Sequence, residues 1–404
     1  MMRRFDHARI LMYSHDTFGL GHLRRCRTIA HALVENYRGL SVLIISGSTI
    51  AGAFDFRVRV DFVKIPSVIK LHNGEYTSLS KHTDLHQTLS MRQAIIRHTA
   101  ETFDPDIFIV DKEPLGLQGE LEETLSYLKT RGTTIILGLR EVMDAPHLLK
   151  AEWAKRDVLR KVGLFYDSIW VYGPEEFYDP LTNLDAPAAL RSKMNYVGFL
   201  ERHLPHSDMP VRHPEGDYIL VTTGGGGDGA DLIHNVLDAY RHDSSLKMRT
   251  LIVLGPFMPT RKRSKLLKKG STLPHVEIIE FDNRMENLIA GARAVVGMCG
   301  YNTFCEILSF DKPALIVPRI TPRQEQLIRA QRAAALGLID VVMPHEAEDP
   351  ERFGKALAAL PSRPPPSQVR HAFKLDGLEN INDLVGDWLD RRSHKRFTVI
   401  EGAN

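Results

Sequence analysis

Short runs rich in Ile, Val and Leu recur along this chain, each followed by a longer stretch of helical spacing, and the scheme runs twice. This alternation is the strongest constraint on the fold, because strands joined by helical crossovers pair in parallel and need helices on both faces. Candidate strands in the first half are Arg9 to Ser14, Ser41 to Ser46, Arg59 to Ile65, Ile107 to Asp111, Thr133 to Gly138 and Ser168 to Tyr172. In the second half they are Tyr218 to Thr223, Thr250 to Leu254, Val276 to Glu280, Ala294 to Gly297, Ala314 to Val317 and Asp340 to Met343. The pattern predicts an α/β protein with two doubly wound parallel sheets. A length of 404 residues suits two domains, each of roughly 150 to 200 residues.

The stretch ERHLPHSDMPVRHPEGD interrupts the apolar period with proline, histidine and charge. The expected division is residues 1–200, a linker at 201–217, and a second domain at 218–367. Beyond the proline-rich LPSRPPPSQ, residues 368–404 carry the amphipathic pattern LDGLENINDLVGDWLD, expected to return to the first domain and end in a flexible tail. Residues 66–102 are polar and histidine-rich, and read either as a surface excursion or as part of a substrate rim. Ligands of doubly wound sheets bind beyond the carboxyl ends of strands, and two such domains imply a cleft.

Composition narrows the function. Lys+Arg number 52 against Asp+Glu 50, so no global field marks a nucleic-acid binder. The basic run RKRSKLLKKG lacks interleaved aromatics and reads as a solvated helix face. Cys26, Cys299 and Cys305 form no Cys-x-x-Cys pair, which fits a reducing compartment. The opening MMRRFDHARILMYS starts a strand rather than a signal segment. No apolar run approaches the ~20 residues that span a bilayer. A cytoplasmic protein is expected, with peripheral contact at the inner face of a membrane left open.

The segment SHDTFGLGHLRRCR carries the first site signal. Leu23, Cys26, Ala30, Leu33 and Val34 recur at helical spacing as a buried stripe, and Arg24, Arg25, Arg27 and His31 are expected to fall away from it. Gly19 and Gly21 let the backbone approach a ligand. His22 reads as a general base or as a mere helix cap. Arginines at the positive end of a helix suggest an anion, so Arg25 or Arg24 is expected to meet a phosphate or an acidic acceptor. Asp111, ending a strand in IVDKEP, would orient His22 or touch the acceptor, and Arg140 and Glu141 follow another strand as acceptor-side candidates.

The second half adds VTTGGGGDGADLIHNVL, with Gly224, Gly226 and Gly229 in a Gly-x-Gly-x-x-Gly register between strand and helix. The next strand, TLIVLGPF, ends without the acidic residue a dinucleotide site wants, so phosphate cradling or a plain tight turn remains. In MCGYNTFCEILSFDKPALIVP, Thr303 and Glu306 share a helix face and suit a polar ligand such as ribose, or form a capping box. In TPRQEQLIRAQ, Glu325 and Gln326 suit sugar hydroxyls, or place an acid favourably in a first turn. Asp104 and Asp106, and His82, Asp84 and His86, have metal-ligand types but turn and loop contexts, so no metal site is expected.

Together these pieces resemble a two-domain GT-B glycosyltransferase, in particular the bacterial N-acetylglucosaminyltransferases of the lipid II synthase type. The resemblance rests on FDNRMENLIAGARAVVGMCGYNTFCEILSFDKPALIVP, Phe281 to Pro318, and on the later Glu325-Gln326 pair. It implies two Rossmann-like domains facing across a cleft. Glu306 would hold the donor ribose, and Gly300 and Thr303 the diphosphate region, with Asn302 between them also on the donor. Glu325 and Gln326 would hold the donor sugar, and backbone near Phe281 the base. Thr223, Gly224, Gly225 and Gly226 would line the diphosphate, and Gly19 and Gly21 would approach the donor. The N-terminal FGLGHLRRCRTIA instead resembles the Gly-x-Gly-His-x-x-Arg-Cys of the UDP-sugar hydrolase of pseudaminic acid synthesis. His22 and Asp111 are then the catalytic candidates. The implied activity is inverting, metal-independent transfer of an N-acetylhexosamine or hexose from a UDP-sugar co-substrate to a saccharide or lipid-linked acceptor, without a cofactor. The alternatives are a UDP-sugar hydrolase or epimerase and a non-catalytic nucleotide-sugar-binding protein.

Overall fold

The computed structural model describes residues 3–15, 20–70, 76–79, 83–204, 216–369 and 373–401. The chain forms two compact units, one of Met1–Glu141, Pro146–Leu200 and Asp376–Asn404, the other of Val142–Ala145 and Glu201–Leu375.

In the first unit the strands are β1 (Arg3–Ser14), β2 (Tyr37–Ser46), β3 (Val60–Lys64), β4 (Val68–Lys70), β5 (Tyr76–Ser78), β6 (Ile107–Asp111), β7 (Thr134–Arg140), β8 (Ser168–Tyr172) and β9 (Met194–Tyr196). β4 and β5 make a small antiparallel pair, and the others form one parallel sheet in the order β3-β2-β1-β6-β7-β8-β9. The runs IFIVD and SIWVY are buried along their whole length, as strands covered on both faces must be. The winding reverses between β1 and β6, where Ser14 lies opposite Asp111. In open parallel sheets, ligands gather outside the carboxyl ends of the strands at such a point.

The second unit repeats the plan with β10 (Tyr218–Thr222), β11 (Arg249–Val253), β12 (Val276–Ile279), β13 (Ala294–Gly297), β14 (Ala314–Ile316) and β15 (Asp340–Val341), in the order β12-β11-β10-β13-β14-β15. Its switch point lies between β10 and β13. Ile219, Val221 and Val296 from the sheet pack with Ile233, Val236 and Leu237 from the helix Ala230–His242 and Phe353 and Leu357 from the helix Pro350–Ala359.

The expected strands at Ile107 to Asp111, Ser168 to Tyr172 and Ala294 to Gly297 coincide with those observed. β1 begins earlier than expected because Arg3 and Arg4 pair with Tyr37 and Arg38 before a register shift. β4, β5 and β9 were not expected, since three residues are too few to display a period. The polar stretch after β5 contains the helix Leu85–Phe103, which buries Ile96, Ala100 and the whole of Arg92. This part of the insertion is therefore core, whichever role its rim plays.

The helix Gly377–Glu401 belongs to the first unit. Tyr37 Oη donates to Asn382 O at 2.5 Å, Asn380 Nδ2 to Val197 O at 2.9 Å, and the Trp388 indole stacks on Trp170 at 5.9 Å. A Cβ on Gly377 would lie 2.6 Å from the Gly198 carbonyl, so only glycine lets the chain re-enter so close to that backbone. Among the described residues no helix is long and apolar enough to cross a membrane. Trp388→Ala should remove a stacked pair and cost about 2 kcal/mol. Urea unfolding of the full chain checks this, and an unchanged first transition would show that the helix is not anchored by that contact.

Candidate functional site

The first unit concentrates its buried charge at the switch point. Asp111 ends β6 with its carboxylate enclosed, and the first helix, Gly21–Asn36, starts beyond β1 with His22 and Arg25 one turn apart. His22 Nδ1 lies 2.5 Å from Asp111 Oδ2. Arg25 grips the same carboxylate at two points, Nε to Oδ1 at 2.7 Å and Nη2 to Oδ2 at 2.6 Å. The helix cap is Leu20, without a side-chain bond, so His22 is not the cap.

Arg25 departs from expectation. It is buried, not turned away with Arg24 and Arg27, because the anion that draws it inward is a side chain of the protein itself. Its guanidinium also sits 5.6 Å from the centre of the Tyr172 ring. Tyr172 reaches that position because Gly138, opposite Asp111 on β7, has no side chain: a Cβ there would fall 1.9 Å from the tyrosine hydroxyl.

Burial would raise the Asp111 pKa, but the Arg25 charge and the bonds from His22 and Arg25 outweigh it and hold the carboxylate well below its usual range. Burial lowers His22 to about 4, against the opposing pull of Asp111 and with the help of Arg25 and Lys112. The imidazole is therefore neutral near pH 7 and can accept a proton.

His15, just after β1, was not singled out by the sequence. It is buried, its ring meets that of His22 edge-on at 5.8 Å, and burial lowers it to about 3. Its Nδ1 is 3.3 Å from Tyr13 Oη, which donates to Glu120 at 2.5 Å, and Glu120 is paired with Arg92 at 2.6 Å. A polar chain thus runs from the helix Leu85–Phe103 to His15, whose ring borders that of His22.

The other first-unit candidates fall at neighbouring strand ends. Arg140 closes β7 and Glu141 follows it, fully buried, with Gly173 leaving room for its side chain. Gly21 opens the first helix, and Gly19 lies outside the described residues.

In the second unit the glycine loop follows β10. Gly226 is in the left-handed region at φ 84°, and a Cβ on it would stand 2.2 Å from the Leu254 carbonyl. Gly229 is held as tightly against Thr223, whose hydroxyl donates to Leu254 O at 3.1 Å. Gly226 and Gly229 are thus required for packing, while Gly224 and Gly225 remain at the surface of the turn.

Beyond β13 comes the helix Tyr301–Ser309, capped by Gly300, whose missing Cβ would meet nothing within 4 Å. Thr303 is the third residue of this helix, so it cannot be the cap of a capping box with Glu306. Thr303 and Glu306 are both buried on it. Asn302 Oδ1 accepts from Arg202 Nη2 at 2.7 Å. Cys299, before the cap, is left-handed at φ 65°, and its carbonyl accepts from Arg329 at 3.0 Å. Phe281 lies on the half-buried turn after β12, where Asp282 accepts from the Arg284 N–H at 2.6 Å.

Glu325 starts the helix Glu325–Ala335 and pairs with Arg319, whose backbone N–H donates to Gln326 Oε1 at 3.1 Å. Arg319 also holds Asp228 of the glycine loop at 2.7 Å. Asp144 accepts from the Gln324 N–H at 2.7 Å and from Arg323 at 2.9 Å. Arg319, Arg329 and Asp144 were missed by the sequence reading, because their partners lie on other elements.

The metal-like candidates have structural tasks. Asp106 accepts from the Arg9 N–H at 2.8 Å and Asp104 from Arg9 Nη2 at 3.1 Å, at the amino end of β6, the far end from Asp111. Asp84 caps its helix through Gln87 N at 2.7 Å, His86 is exposed, and His82 lies outside the described residues. Among the described residues no group of three or more His, Cys, Asp or Glu is arranged to hold a metal.

Residues 218–383 match the model of the glycosyltransferase family 28 C-terminal domain. The structure is similar to Phytolacca americana UGT2 complexed with UDP-2fluoro-glucose and pterostilbene, at TM-score 0.58 and 14% identity over 94% of each chain. It is similar to Acinetobacter baumannii MurG at TM-score 0.58 and 12% identity, over 94% of this chain and 99% of that one. A Listeria monocytogenes protein designated a UDP-N-acetylglucosamine 2-epimerase gives TM-score 0.58 and 12% identity, over 93% and 94%. At these identities the likeness establishes the GT-B fold. No curated protein matches the sequence.

Two outcomes follow from the buried groups. His15 and His22 stay neutral when folded, down to about 3 and about 4, whereas the unfolded chain binds their protons below about 6.5. Stability should therefore fall as pH drops from about 6.5 towards 4, and His15→Gln should flatten that slope in urea melts. An identical slope would remove His15 as a source. Gly226→Ala, strained and clashing, should cost more than about 1 kcal/mol of second-unit stability, and an unaltered urea midpoint would contradict the packing role.

Proposed function

We propose that this chain, which carries a family 28 glycosyltransferase domain within a GT-B fold, transfers a hexose or N-acetylhexosamine from a UDP-sugar to a hydroxyl of a saccharide or lipid-linked acceptor. The observation that carries the reading is a His–Asp dyad with a buried carboxylate at the first unit's switch point, in the same chain as a family 28 domain.

His22 Nε2 takes the acceptor hydroxyl proton as the oxygen attacks the anomeric carbon. The bond from that carbon to the diphosphate oxygen breaks, UDP leaves with the electron pair, and the anomeric configuration inverts. Asp111 steadies the imidazolium formed.

The donor falls to the second unit. The amino end of the helix Tyr301–Ser309, from Gly300 through Asn302 and Thr303, presents N–H groups to the diphosphate. Thr223, Gly224 and Gly225 border it, with Gly226 holding their turn. Glu306 takes the ribose hydroxyls, backbone near Phe281 the base, and Glu325 with Gln326 the sugar hydroxyls. We assign Gly21 and Gly19 to the donor as well, since glycine lets backbone come close to a ligand. Arg140 and Glu141 belong to the acceptor side. Because amides oppose the leaving charge, the reaction in this reading runs without a metal or another cofactor. We place it in the cytoplasm or at the inner face of the membrane, where UDP-sugars and lipid-linked acceptors meet.

A second reading, a UDP-sugar hydrolase or epimerase, is favoured by the His22 loop, since the same base would serve water, and by the likeness to the protein designated a 2-epimerase. Incubation with a UDP-sugar panel, with and without cell-extract acceptors and read by mass spectrometry, separates them. Acceptor-dependent UDP release supports transfer; acceptor-independent release, or conversion of the donor to an isomer resolved by chromatography, supports the second reading; and neither release nor isomerisation of any donor defeats both.

His22→Ala should lower turnover at least about 100-fold and leave UDP affinity within about twofold. Undiminished turnover would remove His22 from the chemistry. Since the base must be unprotonated and His22 sits at about 4, kcat/KM should stay level from about pH 8 to 6 and fall only on approach to about 4. A limb near the ordinary histidine value would contradict that environment. Chelator should leave the rate unchanged; loss restored by a divalent cation would overturn metal independence.

A further inference from the structure

We propose that Arg25 is a positioning residue, which clamps both oxygens of Asp111 and so fixes His22 with its proton on Nδ1 and Nε2 left as the basic nitrogen. The inference rests on the reading of His22 as the base. It concerns a residue that the sequence assigned to an outside anion.

The geometry carries it. Arg25 follows His22 by three residues, so the two side chains leave one face of the helix. Both point at one carboxylate, and they share one of its oxygens: Asp111 Oδ2 is 2.5 Å from His22 Nδ1 and 2.6 Å from Arg25 Nη2. The second arm, Nε to Oδ1 at 2.7 Å, prevents the carboxylate from turning. Arg25 and Asp111 are 2% and 1% exposed, so water does not compete.

An ionised carboxylate only accepts hydrogen bonds. The proton in the short contact must therefore sit on Nδ1. With the proton on Nε2 instead, a nitrogen lone pair would face the carboxylate oxygen at 2.5 Å, a repulsion that the longer bond it could then accept from Arg25 Nη2, at 3.2 Å, does not offset. Arg25 guards against the other escape, a proton on Asp111, by keeping that carboxyl charged.

The clamp also sets the charge beneath the ring. Asp111 and Arg25 together are nearly neutral, so an imidazolium at His22 gains less than it would from an uncompensated aspartate. Among the described residues, the charged and titratable groups around His22 are Asp111 at the end of β6, Lys112 just after it, Arg25 on its own helix and His15 after β1. His15 in turn feels Glu113 and Glu120, and Arg25 feels Tyr172 of β8 and Cys26. A lysine at position 25 would keep the charge but not the two-point grip.

The test uses resting full-length protein labelled with 15N in histidine, with His22 assigned by comparison with His22→Gln. The wild type should show a protonated Nδ1 and an unprotonated Nε2 that persists to about pH 5. In Arg25→Met the single tautomer should be lost and the titration should move up by at least about one pH unit. Arg25→Lys should titrate near the wild type yet show mixed tautomers. A wild type protonated on Nε2, or an Arg25→Lys protein with the wild-type tautomer signature, overturns the proposal even if Arg25→Met fails to fold. No substrate is needed, so an absence of UDP-sugar turnover would defeat the functional reading and leave this result standing. Where turnover is found, Arg25→Lys should lower kcat about 10-fold with donor KM within about twofold, and a rise in KM alone would assign Arg25 to substrate binding instead.

Discussion

A carboxylate enclosed at the end of a buried strand cannot stay ionised without partners, and Asp111 is that carboxylate. Its position follows from the parallel register of β6 against β1, which sets it opposite Ser14 where the winding reverses. Its charge then dictates what surrounds it. Arg25 turns inward, His22 takes the remaining approach, and Tyr172 covers the guanidinium through the gap left at Gly138. A buried ion pair of this kind adds little net stability after desolvation, so its contribution is the definition of one arrangement.

The two units meet the same requirement differently. Each leaves its switch point through a non-glycine residue in the left-handed region, Lys112 after β6 and Cys299 after β13, at φ 70° and 65°. Such strain persists only where neighbours over-determine it. In the second unit Arg329, fully buried, bonds the Cys299 carbonyl and holds the turn that presents Gly300. The first unit gathers charged side chains, suited to moving a proton. The second gathers a helix start, a glycine turn and the Glu306, Glu325 and Gln326 side chains, which the proposed function assigns to the nucleotide sugar. This division of chemistry, more than any one residue, makes sugar transfer the reading that uses the whole chain.

The glycine loop shows how a motif can be legible for a mixed reason. Its Gly-x-Gly-x-x-Gly register suggests a phosphate cradle, yet two of those glycines, Gly226 and Gly229, are demanded by contacts with the Leu254 carbonyl and Thr223. Packing and ligand approach both require an absent side chain, so the sequence signal sums the two. Gly224 and Gly225, by contrast, lie exposed and half-buried on the turn. The Thr303 and Glu306 spacing was ambiguous for a similar reason, and one observation separates its readings: the helix begins at Tyr301, two residues before the threonine.

By itself the sequence determined the alternation of strands and helices, the doubling of that plan, and the turns that follow the strands. These are local properties: apolar period, turn residues and strand ends are written within a dozen neighbours. The inward turn of Arg25, the place of His15, and the grip of Asp144 on the helix start at Gln324 lay beyond it. Arg25 and Asp111 are 86 positions apart, and Asp144 and Gln324 are 180 apart. Helical spacing alone put Arg25 on a solvated face, because charge is ordinarily better hydrated than buried. Only the tertiary fold, by bringing an enclosed carboxylate within reach, reversed that preference.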